Sequence, residues 1–233
     1  MAGRILIASA STKEKEEDTY IWKSIKDHPK PLYPNARSVD VKIFTKNKLG
    51  LCKLYNNIID EYGDDYETII FVHDDVSIDS ANFVRRTLEG LQTYDVVGVA
   101  GGSRIKSGTP ILWHLMTDKK THSGIVFHPH HEIKNFCYPT TFGVRPKEVA
   151  VLDGVYLAVK PKTLFEKEIK FDENIEGFHH YDIKFCIDCK LAGLTLGTLD
   201  INIIHQSPGL DVYDDKFKDS EKYMKEFLNE IMT

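Results

Sequence analysis

The chain has 233 residues, 42% of them hydrophobic, which is enough for one substantial core, and no long linker divides it, so a single domain over 1–233 is expected. A net charge of -5 with both signs scattered along the sequence leaves no basic stripe to neutralise a phosphate backbone, which argues against a nucleic-acid polymer as partner. Four irregularly spaced cysteines fit a reducing compartment better than a disulfide framework.

Met1-Ala2-Gly3-Arg4 runs into Ile5-Leu6-Ile7-Ala8, an apolar stretch of strand length and too short for a signal sequence or membrane span, so a soluble cytoplasmic protein is expected. Strand-like runs at 4–8, 39–44, 68–72 and 96–100 alternate with helical segments at 51–62 and 81–91. That alternation predicts an α/β fold whose central sheet is mostly parallel and flanked by helices. In 51–62 the apolar residues Leu51, Leu54, Tyr55, Ile58, Ile59 and Tyr62 recur at three and four residues, as on one face of a helix.

From 101 to 146 the periodicity weakens, which predicts loops and a short hairpin with apolar pieces at 111–115 and 124–127. His128-Pro129-His130-His131 lacks helical spacing and holds a proline, so a loop is expected there rather than a metal cluster. A strand is predicted over 149–159, and the segment Phe171-Asp172-Glu173 follows. After His179-His180-Tyr181-Asp182 a helix is expected with Ile183, Cys186, Cys189 and Leu191 inward, stopped by Gly193. The lone Cys186-Ile187-Asp188-Cys189 then reads as two buried residues of that helix. A strand over 195–204 delivers His205, and 215–232 forms an amphipathic helix.

The most pointed feature is the run Ile69-Ile70-Phe71-Val72, which ends in His73-Asp74-Asp75. A buried strand delivering adjacent carboxylates needs a cation between them or water around them. Asp153, Asp182 and His205 stand at similar strand ends or helix starts, where the ligand crevice of an open α/β sheet lies. Carboxylates with open coordination positions suit a diphosphate-bridging Mn2+ or Mg2+, and an imidazole from His205 favours manganese over calcium. Gly101-Gly102-Ser103 completes neither a dinucleotide fingerprint nor a P-loop. Plainer readings stand beside these. Asp74-Asp75 fits a solvated turn, Asp182 a helix cap, His205 a sheet-edge histidine and Asp153 a strand irregularity. Trp113 and His114 either flank a sugar pocket or pack in a hairpin.

Together these segments resemble a known family. His73-Asp74-Asp75-Val76 is similar to the DxD-type motif of metal-dependent GT-A glycosyltransferases, more narrowly to the small family 2-related proteins with an His-x-Asp-Val version. Gly50-Leu51 with Tyr55-Asn56, the segment Asp95-Val96-Val97-Gly98-Val99-Ala100-Gly101-Gly102 and the strand Leu152-Asp153-Gly154-Val155-Tyr156-Leu157-Ala158-Val159 match in order. Phe171-Asp172-Glu173 followed by Gly177-Phe178-His179-His180-Tyr181-Asp182 resembles the family's acidic motif opening a helix, with Tyr181 where the pattern usually has Glu.

The resemblance implies a transfer enzyme with a nucleotide-binding half over 1–100 and an acceptor-side half over 101–233. Asp75, helped by Asp74 and His205, would hold Mn2+ or Mg2+ against the diphosphate of a nucleotide-sugar, with UDP as the nucleotide. Ser9, Ser11 and His73 would meet the donor. Asp153, Gly154, Trp113 and His180 would meet the acceptor or sugar, which is a glycan or another hydroxyl compound. Asp182 would take the acceptor proton in an inverting reaction and, at the first turn of a helix, keep an ordinary pKa. The rival readings are a non-catalytic nucleotide- or glycan-binding member and a metal-dependent nucleotidyltransferase.

Overall fold

The computed structural model describes residues 4–27, 38–106, 110–130, 132–207 and 213–232. Met1-Ala2-Gly3 and His131 of the histidine run lie outside the described residues. Along the chain the elements are β1 (Ile5–Ala10), α1 (Tyr20–Asp27), β2 (Val39–Phe44), α2 (Leu51–Tyr62), β3 (Thr68–Val72), β4 (Val76–Ile78), α3 (Phe83–Thr93), β5 (Val96–Gly98) and β6 (Ala100–Gly102). They continue as α4 (Trp113–Met116), β7 (Ser123–Pro129), β8 (Cys137–Gly143), β9 (Glu148–Val149), β10 (Val151–Leu152), β11 (Tyr156–Val159), α5 (Pro161–Glu166), α6 (Tyr181–Leu191), β12 (Leu196–Thr198), β13 (Ile203–His205) and α7 (Asp215–Met232). No helix among the described residues is long and apolar enough to cross a membrane.

One sheet has the order β2-β1-β3-β11-β5-β12-β9, and a second has the order β10-β6-β7-β13-β4 with β8 paired to β7. In the first sheet five strands point the same way, as an α/β reading requires, while β11 and β9 are reversed. Every residue of β3 is buried, so its continuous apolar run packs on both faces.

Several strands predicted as single runs cross from one sheet to the other. The 96–100 run is split into β5 and β6, 149–159 into β9, β10 and β11, and 195–204 into β12 and β13, while β3 continues past a turn into the unpredicted β4. Both sheets bury apolar side chains, so hydrophobicity continues through each bend and the sequence carries no mark of the change. Residues 111–115 do not join the hairpin. Trp113 and Met116, three apart, turn inward from the short helix α4, and the hairpin is β7 with β8. His128 and Pro129 therefore belong to a strand and not to a loop, with Pro129 at its end, where a missing N–H is tolerated.

An aromatic cluster joins the helices to β3 beneath the sheet ends. Tyr55 of α2 stacks on Phe71 with centroids 4.3 Å apart, and Phe171 stacks on Phe185 of α6 at 4.2 Å. Tyr55 also meets Tyr181 edge-on at 5.6 Å. Cys186 and Cys189 are buried on α6 as expected and Gly193 ends the helix at positive φ, but Leu191 in its last turn is exposed.

Asn56 connects two motifs that the sequence leaves 115 residues apart: its Nδ2 donates to the Phe171 carbonyl and to Glu173 Oε1, and its Oδ1 accepts from the Phe171 N–H, each at 2.9 Å. Asn56→Ala is expected to leave buried backbone groups of Phe171 unpaired and to cost about 3 kcal/mol. Thermal unfolding followed by circular dichroism should register this as a drop of roughly 6–12 °C.

Candidate active site

The two sheets meet where their strands cross over, and the polar residues collect at that seam. Residues 73–75 lie between β3 and β4, and 153–155 lie between β10 and β11. β13 runs antiparallel to β4 with His205 opposite Val76, and the Gln206 N–H donates to the Asp75 carbonyl at 2.9 Å. That register brings His205 beside Asp75 from 130 residues away.

His73, Asp75 and His205 each offer a ligand atom within 4.8 Å of the others. His205 Nε2 lies 3.3 Å from Asp75 Oδ1, yet this buried oxygen has no well-aligned donor. Burial would raise the Asp75 pKa, but His205 and then His73 outweigh it and hold the carboxyl below its ordinary value. Burial likewise disfavours a charged His205, and Asp75 overcomes it, so the His205 pKa is raised. His73 is lowered by burial and by His205, which favours its neutral form. Two imidazoles and a carboxylate converging on one point, with an orphaned anionic oxygen, form a donor set that fits a divalent metal ion.

Asp74 is not in that group. Its Oδ2 accepts from Ser11 Oγ at 2.5 Å, and its carbonyl accepts from the N–H groups of Tyr20 and Ile21, so it holds the exit of β1 to the start of α1. Ser9 is fully buried within β1 and lines neither cleft described below, in contrast to the donor contact expected of it. Strand residues stay inside the sheet, and Ala10, Ser11 and Thr12 at the exit line the cleft, with only Thr12 exposed.

Two clefts of about 430 Å³ each adjoin the seam. Ser11, Asp74, Asp75, Leu51 and Tyr55 line one, and Trp113, His114, Asp153, Asp182 and His180 line the other. His73, Phe178, His179 and His205 line both, so the candidate metal group stands between them.

In the second cleft Asp182 sits in the first turn of α6, and its Oδ2 accepts from the Gly154 N–H at 2.8 Å. The expectation of an ordinary pKa is overturned. Burial and then the nearby Asp153 charge raise it to about 7, against the pull of backbone N–H groups. The helix terminus is the weaker influence here because the carboxylate is largely enclosed by protein. Gly154 makes room for this contact, since a Cβ there would come within 2.1 Å of the Tyr181 hydroxyl.

Trp113 donates from Nε1 to Asp153 Oδ2 at 2.8 Å, and the other Asp153 oxygen accepts from the Val155 N–H. With 6% of its surface exposed and its ring packed on Phe142 and His122, Trp113 orients Asp153 and offers little open face. His180 is buried in a left-handed conformation at φ 63°, its Nδ1 paired with Ser220 Oγ at 2.7 Å. Burial and then His179 lower its pKa to about 4. Phe178 and His179 escaped the sequence reading, although they stand in the same Gly177-to-Asp182 motif as Asp182.

Residues 23–231 match the model of a glycosyltransferase like family. No curated protein sequence matches the chain. Among solved structures the fold is similar to GalNAc-T7 with UDP, GalNAc and Mn2+, with a TM-score of 0.55 and 9% identity over 88% of this chain and 44% of that one. It is also similar to S. aureus TarS, with a TM-score of 0.50 and 15% identity over 97% of this chain and 40% of that one. A197 from STIV matches over 91% of this chain and 98% of its own, with 14% identity and a TM-score of 0.49. The chain thus spans less than half the length of the GalNAc-T7 and TarS chains. The likeness to GalNAc-T7 and TarS identifies the architecture as GT-A. Because the matched model extends over residues 23–231, the chain belongs to the glycosyltransferase-like family.

Proposed function

We propose that the chain transfers a sugar from a UDP-sugar donor to a hydroxyl of a glycan or similar acceptor, with inversion and with a divalent cation held by His73, Asp75 and His205. The observation that carries this reading is the position of that group at the border of two clefts, one entered from the exit of β1 and the other holding Asp182. A UDP, GalNAc and Mn2+ complex of a structure with the same fold supports the choice of ligands.

In this reading Ser11 and the loop after β1 receive the nucleotide side of the donor, and the acceptor enters the second cleft. Asp182, with a pKa near 7, accepts the acceptor hydroxyl proton as the new bond forms, because a base is most effective when its pKa lies near the working pH. Asp153, fixed by Trp113 and the Val155 N–H, is positioned to orient sugar hydroxyls. A bound Mn2+ or Mg2+ would supply positive charge to the departing diphosphate.

Thermal shift with UDP and Mn2+ separately and together tests the bridged site. A joint shift on the order of 5–10 °C is expected at about 100-fold excess over Kd, with little from either component alone. Shifts by UDP that are indifferent to metal would contradict it. Incubation with UDP-sugars should release UDP, whereas pyrophosphate release from a nucleoside triphosphate would mark a nucleotidyltransferase.

A further inference from the structure

The hydroxyl of Tyr181 touches both halves of the site and has no assigned part in the chemistry. It lies 2.9 Å from His73 Nε2 and 3.0 Å from the Gly154 carbonyl oxygen, with Tyr181 itself almost wholly buried. A phenol has one hydrogen to give. The Tyr55 hydroxyl is a third partner of the Tyr181 hydroxyl. The carbonyl of Gly154 can only accept, so the Tyr181 hydrogen goes there, and the two lone pairs of the Tyr181 oxygen are left to accept from Tyr55 and from His73 Nε2–H. A neutral imidazole protonated at Nε2 keeps its lone pair on Nδ1.

We propose that Tyr181 is a positioning residue that locks His73 as the Nε2–H tautomer and leaves Nδ1 as the atom offered to the cation. The inference rests on the cation-binding reading above, but the tautomer itself does not. The same contact fixes the ring's orientation, because Tyr181 is held edge-on by Tyr55 at 5.6 Å and at a tilt by Phe171 with centroids 6.2 Å apart. The hydroxyl therefore works as an outer partner of a metal-binding histidine, the type of contact whose loss typically weakens metal binding 10–100-fold. Tyr181 is also the residue immediately before Asp182, so the position where the related pattern carries Glu is here spent on the metal histidine, and Asp182 is left as the motif's sole carboxylate.

Long-range proton–nitrogen correlation spectra of the histidine rings in the metal-free wild type, with His73 assigned through His73→Gln, read the tautomer directly. Nε2–H is the expected form, and Nδ1–H would overturn the proposal. Mn2+ affinity, measured by electron paramagnetic resonance on wild type and Tyr181→Phe, should fall 10–100-fold in the variant while the backbone spectrum stays dispersed. Should Tyr181→Phe unfold, Tyr181→His and the wild-type tautomer keep the question decidable. Mn2+ binding that is equally tight in Tyr181→Phe but weakened in His73→Gln would refute the positioning role. Wild type that binds no Mn2+ would instead refute the cation reading.

Discussion

Asp75→Asn is expected to lose the joint UDP and Mn2+ thermal shift and to lower transfer on the order of 10³-fold, because the replacement keeps the volume of the group and removes the charge on which the site depends. Asp74→Asn should be milder, since that carboxylate accepts from Ser11 and lies outside the His73, Asp75 and His205 group. The comparison is informative because the two residues are neighbours with the same chemistry. Equal losses from both substitutions, measured as kcat/KM and as Mn2+ affinity, would show that the two carboxylates act as one ligand. Since a cation must displace the proton that Asp75 helps His205 retain, Mn2+ affinity should also strengthen as pH rises.

Asp182→Asn should lower kcat by about 10²–10⁴-fold with donor binding preserved, and should make the protein more stable. The folded carboxyl has a pKa of about 7 against an ordinary 3.8, so between those values the folded state holds a proton that the unfolded chain has released. Wild-type stability from this group is complete at pH below 3.8 and is lost as pH climbs toward 7. The asparagine variant avoids that loss, so its advantage should grow across this window and level off above it, by an amount on the order of 1–4 kcal/mol. Urea denaturation of both proteins at pH 5 and pH 8 measures it. Wild-type transfer should rise with pH through about 7, and a flat rate across pH 6–8 would remove Asp182 as the base.

How far the sequence foretold this site depended on whether the information was local. The buried β3 run and the carboxylates at its end are local, and so are the face of α2 and the glycine that stops α6, so each could be read directly. His205 was recognisable as a strand-exit histidine, but its pairing with Asp75 depends on the register of β13 against β4. Spacing along the chain does not carry that register. The Asp182 pKa was misjudged because its causes are burial and Asp153, both supplied by packing, whereas the helix start visible in the sequence is the weaker influence. Trp113 fits a sugar pocket or a packed hairpin equally well in the sequence, and the partners that close its ring come from elsewhere in the chain, Phe142 from β8 and His122 from just before β7. The long apolar runs were right in hydrophobicity and wrong in continuity, since a bend between two buried sheets leaves the side-chain pattern unchanged.

Those bends bear on how the molecule can be divided. β3 passes into β4, β5 into β6, β10 into β11 and β12 into β13, so each of four chain segments is stitched into both sheets. A cut between the first hundred residues and the remainder would strip β11 from its place between β3 and β5, and would pass through β6 itself. Neither fragment would retain a complete sheet. Gene fragments for the two halves should therefore yield insoluble or unfolded products that regain order only when mixed, and a natural fission of this gene at that point should be disfavoured.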